Sequence, residues 1–266
     1  MAVVETDRTG QVFIVRMNCP ERLNALNTEM RQMLAEAWTE FRHSKELEVA
    51  IFTGTGRGFC AGEDMKESLV AGRPGGTRPS LADPFMDGTL EKPVIAAING
   101  FAMGGGFMLV ERADLRVAVP EALFEVSEAK RWLLGGYNHG HLANLPYPIA
   151  MEMALGFRFT AERFYQLGFL NRLAPRAELI ATAMTMAEHL LSLPPASRVN
   201  TVYMMRQMRP EPTPSHTALA AKLHDHGDKS DLMESRAAFS EMRKPNFKGW
   251  LDPQDRYRMP KLNDKT

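Results

Sequence analysis

The sequence predicts an α/β protein with a helical C-terminal part. Three observations lead there. Short apolar, β-branched runs alternate with helical periodicity through the first two-thirds of the chain. The last part carries helical segments, more charge and no convincing strand. The chain also has 266 residues with 44% hydrophobic and 24% charged, enough to bury a large core in one domain plus an appendage.

Each element has its own signal. Gln11 to Met17 reads as a strand, bounded by Gly10 and by Asn18-Cys19-Pro20. Met30, Met33, Leu34, Ala37, Trp38 and Phe41 fall on one helical face, with Asn27 or Thr28 as the cap. Glu48 to Phe52 is a buried strand ending at Gly54, Gly56 and Gly58. Residues 71–88 are rich in Gly and Pro and read as a loop or short turns. Val94 to Ile98 is the next strand, followed by Gly104-Gly105-Gly106 opening a helix to Arg112. Leu115 to Val119 is a third buried strand, stopped by Pro120. Glu178 to Leu193 is a long amphipathic helix, expected to close at Pro194-Pro195. The expected division is an α/β core over 1–195 and a helical region over 196–266.

Composition narrows the function. The 32 basic and 32 acidic side chains balance, which argues against a nucleic-acid partner. Two cysteines, Cys19 and Cys60, exclude a disulfide scaffold and suit a reducing compartment. No apolar run approaches a membrane span, and the N-terminal Glu5 and Asp7 do not suit a secretory signal. A cytoplasmic protein without membrane contact is expected.

Several motifs have a plain structural reading. Gly54-x-Gly56-x-Gly58 has the wrong spacing for a dinucleotide fingerprint and reads as a tight turn. Gly104-Gly105-Gly106 lacks the Lys and Ser/Thr of a phosphate loop. His139-x-His141 lacks a third ligand at credible spacing, and His224-x-His226, though Asp228 is near, reads as an exposed helix end, so no metal is expected.

Two backbone features carry more chemistry. Phe59-Cys60-Ala61-Gly62-Glu63-Asp64 and Gly104-Gly105-Gly106 each follow a strand, and their small residues let a ligand approach the main chain. Two N–H groups aimed at one oxygen form an oxyanion hole, each donor being worth about 3–4 kcal/mol in a transition state. A helix N-terminus adds a favourable dipole. The competing reading is a pair of turns needed only for packing.

Taken together, four segments resemble the crotonase superfamily, the enoyl-CoA hydratase/isomerase family. They are Asn18-Cys19-Pro20-Glu21-Arg22-Leu23-Asn24-Ala25-Leu26, Phe59 to Met65, Lys92 to Gly106, and Glu234 to Phe239 with Arg243-Lys244-Pro245. They occur in the family's order over nearly the whole chain. The resemblance implies a spiral of β-β-α units, a helical C-terminal trimerisation region, and trimers often paired into hexamers. It implies an acyl-CoA thioester substrate, with CoA part of the substrate and no separate cofactor. The thioester oxygen would be held by the amides of Ala61 and Gly105, stabilising an enolate.

The sequence departs from the family in one place that matters. Hydratases of the family carry two glutamates, and the first of these positions is Met108. A thioether carries no catalytic proton at neutral pH. The second position is Glu128, expected as the base or acid. One glutamate suffices to move a double bond, so isomerisation is favoured. Hydration, hydration-linked C–C cleavage or hydrolysis is the alternative, with Tyr137 or His139 as second group and Glu111 a further auxiliary candidate. A silent acyl-CoA-binding protein is the reading from another class. The resemblance also points to Arg22, Glu63, Asp64, Met65, Lys66, Gly104, Met108, Trp132 and Lys244 as substrate contacts.

Overall fold

The computed structural model describes residues 2–72, 81–134 and 136–262. The chain forms two compact units, each assembled from separate stretches. The first takes Met1–Asp64, Gly75–Glu125 and Arg158–Arg209; the second takes Met65–Pro74, Val126–Phe157 and Pro210–Thr266. The expected boundary at 195 therefore falls inside the first unit.

The first unit holds both sheets. β1 (Val4–Thr9) and β2 (Val12–Met17) form an antiparallel hairpin turning at Gly10, which has φ +57°. Helix α1 (Thr28–His43) starts where Asn27 accepts a bond from the Met30 amide at 2.8 Å. β3 (Val49–Gly54) and β4 (Gly58–Cys60) follow, then β5 (Val94–Ile98), β6 (Phe101–Met103), α3 (Gly105–Arg112), β7 (Leu115–Ala118) and β8 (Leu123–Glu125). The order in the larger sheet is β1-β2-β3-β5-β7, and β4-β6-β8 run side by side in the smaller one. Each repeat thus gives one strand to each sheet, which is the β-β-α spiral. β9 (Arg158–Thr160) closes the small sheet and β10 (Arg172–Leu173) the large one, with α6 (Ala161–Gln166) between them in sequence. Of the helices numbered between α3 and α6, α4 and α5 belong to the second unit.

Strands β2, β3 and β5 are buried along nearly their whole length, as expected of parallel strands covered on both faces. The α1 face supplies Trp38 and Phe41, which are completely buried, and Trp38 stacks on Phe85 at 4.7 Å. Each such side chain adds about 1.5–3 kcal/mol of burial. The end of α1 is closed by Lys92, whose ammonium donates to Phe41 O, Ser44 O and Leu47 O at 2.6–2.8 Å. Helices α7 (Leu179–Leu191) and α8 (Pro195–Gln207) complete the unit. Pro194-Pro195 does not simply stop α7, because Pro195 sits at the start of α8, where its missing N–H is tolerated. Arg206 of α8 holds Asp114 through two bonds of 2.7 and 2.8 Å.

The second unit is helical: α2 (Met65–Ala71), α4 (Gly136–Leu142), α5 (Tyr147–Ala154), α9 (Pro214–His224) and α10 (Ser230–Ser240). The two close helices α4 and α5 meet where Gly140 leaves no room for a side chain; a Cβ there would lie 2.5 Å from Ala150. Arg236 is completely buried and donates to Ser68 Oγ at 3.3 Å and Arg131 O at 3.5 Å. The Arg131 guanidinium lies 4.2 Å over the Phe239 ring. Asp231 accepts from the Lys248 and Gly249 amides, which orders the C-terminal segment.

The strands β1, β4, β6, β8, β9 and β10 are absent from the expected elements. All but β1 have two or three residues, too few for periodicity to register, and β1 reads polar because only Val4 is buried. Within the expected loop 71–88, residues 73–80 lie outside the described residues. The stretch after Ala82 turns around Asp83, whose Oδ1 accepts from the Phe85 and Met86 amides at 3.1 and 3.0 Å.

Candidate active site

In the first unit two backbone loops meet. Asn24, buried and at φ 54°, ties the first loop in place. Its amide donates to Thr55 O, Gly58 O and Phe59 O, and its carbonyl accepts from the Cys19 amide at 2.9 Å. The Gly54–Gly58 run is the tight turn expected, with Gly56 at φ +75°. Beyond β4, a parallel bridge joins Leu26 to Glu63. Leu26 N–H donates to Gly62 O at 2.7 Å, and Asp64 N–H to Leu26 O at 3.4 Å. In that pattern the Glu63 N–H points to the opposite edge.

Glycines bring this loop against the start of α3. A Cβ on Gly62 would lie 2.5 Å from Met103 O and 3.2 Å from Gly105 N. A Cβ on Gly106 would lie 2.3 Å from Cys60 O. The position a Cβ would take on Gly105 is 3.8 Å from Glu63 N. Gly105 is the first residue of α3, where an amide has no carbonyl of its own helix to serve. Gly104 N–H donates to Glu125 O at 2.8 Å, which fixes the entry to that helix.

This geometry corrects one expectation. The Ala61 amide donates to Leu23 O at 3.0 Å and is engaged in joining the two loop strands. The amide that neighbours Gly105 is that of Glu63. Gly62, at φ +88°, breaks the strand alternation, so residues 61 and 64 face one edge and residue 63 the other.

A pocket of about 70 Å³ lies beside Gly105, with Leu26, Arg31, Asp83, Met86 and Met108 in its walls. Met108 thus stands in the wall beside Gly105, where its thioether adds apolar surface. Burial holds the Asp83 carboxyl above its ordinary range. Glu111 is buried one turn beyond Met108, and its carbonyl accepts from Arg116 at 2.8 Å. Arg22 pairs with Asp64 at 2.8 Å and leaves half of its side chain in solvent.

Glu128, Trp132, Tyr137 and His139 belong to the second unit. Glu128 lies three residues after Glu125 in the sequence. Its Oε1 is 3.7 Å from His139 Nε2, and both side chains are largely buried. Gly136 lets α4 pack close at this point; a Cβ there would be 3.5 Å from Glu128 Cβ and 3.2 Å from Val126 Cγ1. Tyr137, the other candidate second group, is 41% exposed. Trp132, at φ 55°, stacks on His224 with ring centroids 6.5 Å apart. Met65 and Lys66 lie in the first turn of α2, and Lys244 is exposed after α10. His226 Nε2 lies 2.8 Å from Asp255 O, a packing contact. Among the described residues no group of three or more His, Cys, Asp or Glu is placed to hold a metal ion. Among them, too, no helix is long and apolar enough to cross a membrane.

In the first unit, Gly62, Gly105 and Gly106 bring the loop after β4 against the start of α3; in the second, Glu128 is largely buried beside His139. The chain belongs to the enoyl-CoA hydratase/isomerase family, which it matches over residues 7–250. It is 31% identical to enoyl-CoA hydratase EchA19 of Mycobacterium tuberculosis, over 93% of this chain and 99% of that protein. It is 32% identical to (E)-benzylidenesuccinyl-CoA hydratase of Thauera aromatica, over 92% and 99%. Among solved structures it resembles carnitinyl-CoA hydratase from Mycobacterium avium, with a TM-score of 0.80 and 25% identity over 93% of this chain and 99% of that one. The fold is the crotonase fold.

Proposed function

We propose that the protein adds water to, and removes it from, the double bond of an acyl-CoA through an enolate. The amides of Glu63 and Gly105 hold the thioester oxygen as it gains charge. Glu128 moves the proton at the α-carbon, and His139 orients its carboxylate. The observation that carries this reading is the buried Glu128–His139 contact of 3.7 Å. The contact supports Glu128 as the proton carrier. The choice of water chemistry over isomerisation follows the relatives, which are named hydratase or dehydratase.

Isomerisation is the second reading, and Met108 favours it. The thioether in the pocket wall removes the usual second carboxylate. Arg22, Lys66 and Lys244 are proposed as contacts to the CoA phosphates. A homo-oligomer, trimer or hexamer, is supported by exposed Tyr203, Met204, Met205 and Met208 on and just past α8.

The test is incubation with 2-enoyl- and 3-enoyl-CoA esters in deuterated water, read by product mass and label position. Water addition gives a product heavier by one water. Migration of the double bond with label uptake and no added water would overturn the reading in favour of isomerisation. Binding with neither would leave a silent acyl-CoA-binding protein.

A further inference from the structure

Adding water across a double bond needs a proton carrier at the α-carbon and another at the oxygen that attacks the β-carbon. Glu128 serves the first in the reading above, on which this inference rests. Met108 cannot serve the second. Among the described residues lining the pocket beside Gly105, Asp83 alone carries a carboxyl. We propose that Asp83 is the second catalytic carboxyl and handles the proton of the water.

The surroundings of Asp83 suit that task. Its Oδ1 is anchored by the Phe85 and Met86 amides, which fixes the plane of the carboxyl. The same pocket holds Gly105, one of the two proposed oxyanion donors, and the apolar side chains of Leu26, Met86 and Met108. Burial is the largest influence on its proton affinity and raises it. Asp87 acts in the same sense, while Arg112 and the two amides oppose it. Arg31 is the cation in the pocket wall. A carboxyl balanced in this way can take a proton and release it again.

The step balances. The Asp83 carboxylate takes a proton from water as the water oxygen bonds to the β-carbon. The double-bond pair moves toward the carbonyl, and the thioester oxygen becomes an enolate held by the Glu63 and Gly105 amides. The Glu128 carboxyl then gives its proton to the α-carbon as the enolate collapses. One water has added; Asp83 ends protonated and Glu128 ionised, and exchange with solvent resets both. Dehydration is the reverse, with Asp83 protonating the departing hydroxyl.

Asp83→Asn tests this, because the amide oxygen can still accept the Phe85 and Met86 bonds. Two reactions are read on wild type and variant: water addition to a 2-enoyl-CoA, and α-hydrogen exchange of a saturated acyl-CoA in deuterated water. Water addition is expected to fall by more than tenfold, on the order of 10²–10⁴. Exchange, which needs Glu128 and the amides only, is expected to stay within about threefold. Asp83→Glu should recover part of the lost rate. A fall in water addition of less than about tenfold overturns the assignment, as does parallel loss of both reactions, which marks a structural role. If the wild-type protein itself adds no water, the reading beneath fails and the role of Asp83 goes with it.

Discussion

Gly106 lies directly against Cys60: a Cβ added to the glycine would sit 2.3 Å from the Cys60 carbonyl oxygen. The obstacle is backbone, so it cannot swing aside as a side-chain end would. The contact sets the distance between the loop after β4 and the first turn of α3. Gly106→Ala should therefore destabilise the fold by about 1–3 kcal/mol, as overpacking does. It should cost turnover far more, by at least about a hundredfold, because the Glu63 and Gly105 amides would separate. Urea melts and steady-state kinetics on the same preparation check both parts.

Asn24 is the other anchor of that loop. Its buried side chain serves three carbonyls and one amide. Asn24→Ala leaves those groups unsatisfied and should cost about 2–4 kcal/mol. Asn24→Gly relieves the positive φ but not the lost bonds, so it should remain less stable than wild type. A urea midpoint unchanged in both variants would contradict this account.

Glu128→Gln should lower kcat by about 10²–10⁴ while leaving acyl-CoA binding nearly intact. His139→Gln should lower kcat less, by about tenfold, and reshape its dependence on pH with little change in KM. That pattern separates an orienting partner from a packing residue, whose loss would appear in stability first. Stopped assays across pH, with thermal melts beside them, provide the comparison.

Cys60 offers a pH prediction with a definite sign. Complete burial pushes its thiol from an ordinary 9.0 up to about 12. Stability from this group is complete below pH 9, where the unfolded thiol is also protonated. It declines as pH rises from there toward 12, because the unfolded chain releases its proton first. Both cysteines are buried, so a thiol reagent at pH 8 should label essentially none in the native protein and two after denaturation. Rapid labelling of Cys60 in the folded protein would show that the β4 edge opens.

The long elements were legible because each repeats a pattern over several residues. β2, β3, β5, α1 and α3 fall where apolar periodicity and the Asn27 cap place them. The smaller sheet was not, since strands such as Gly58–Cys60 and Phe101–Met103 owe their form to neighbours distant in the chain. The same limit explains Ala61. Motif order locates the loop, but which amide leaves the ladder depends on the left-handed turn at Gly62, a property of backbone geometry. The sequence also singles out Glu128 and His139 separately. Their contact depends on the packing of α4, made possible by Gly136. Asp83 gave no signal at all, lying in a stretch read only as loop.

The helical unit around Glu128 is stitched from early and late parts of the chain. Arg131 and Trp132, close neighbours of that glutamate in sequence, rest on Phe239 and His224. During synthesis the ribosome must deliver those later residues before the earlier ones find their supports. A nascent chain halted near residue 209 would carry both β-sheets yet lack the supports of Arg131 and Trp132. Competence for chemistry should thus arrive abruptly, once Phe239 has emerged, and not build up as each strand emerges.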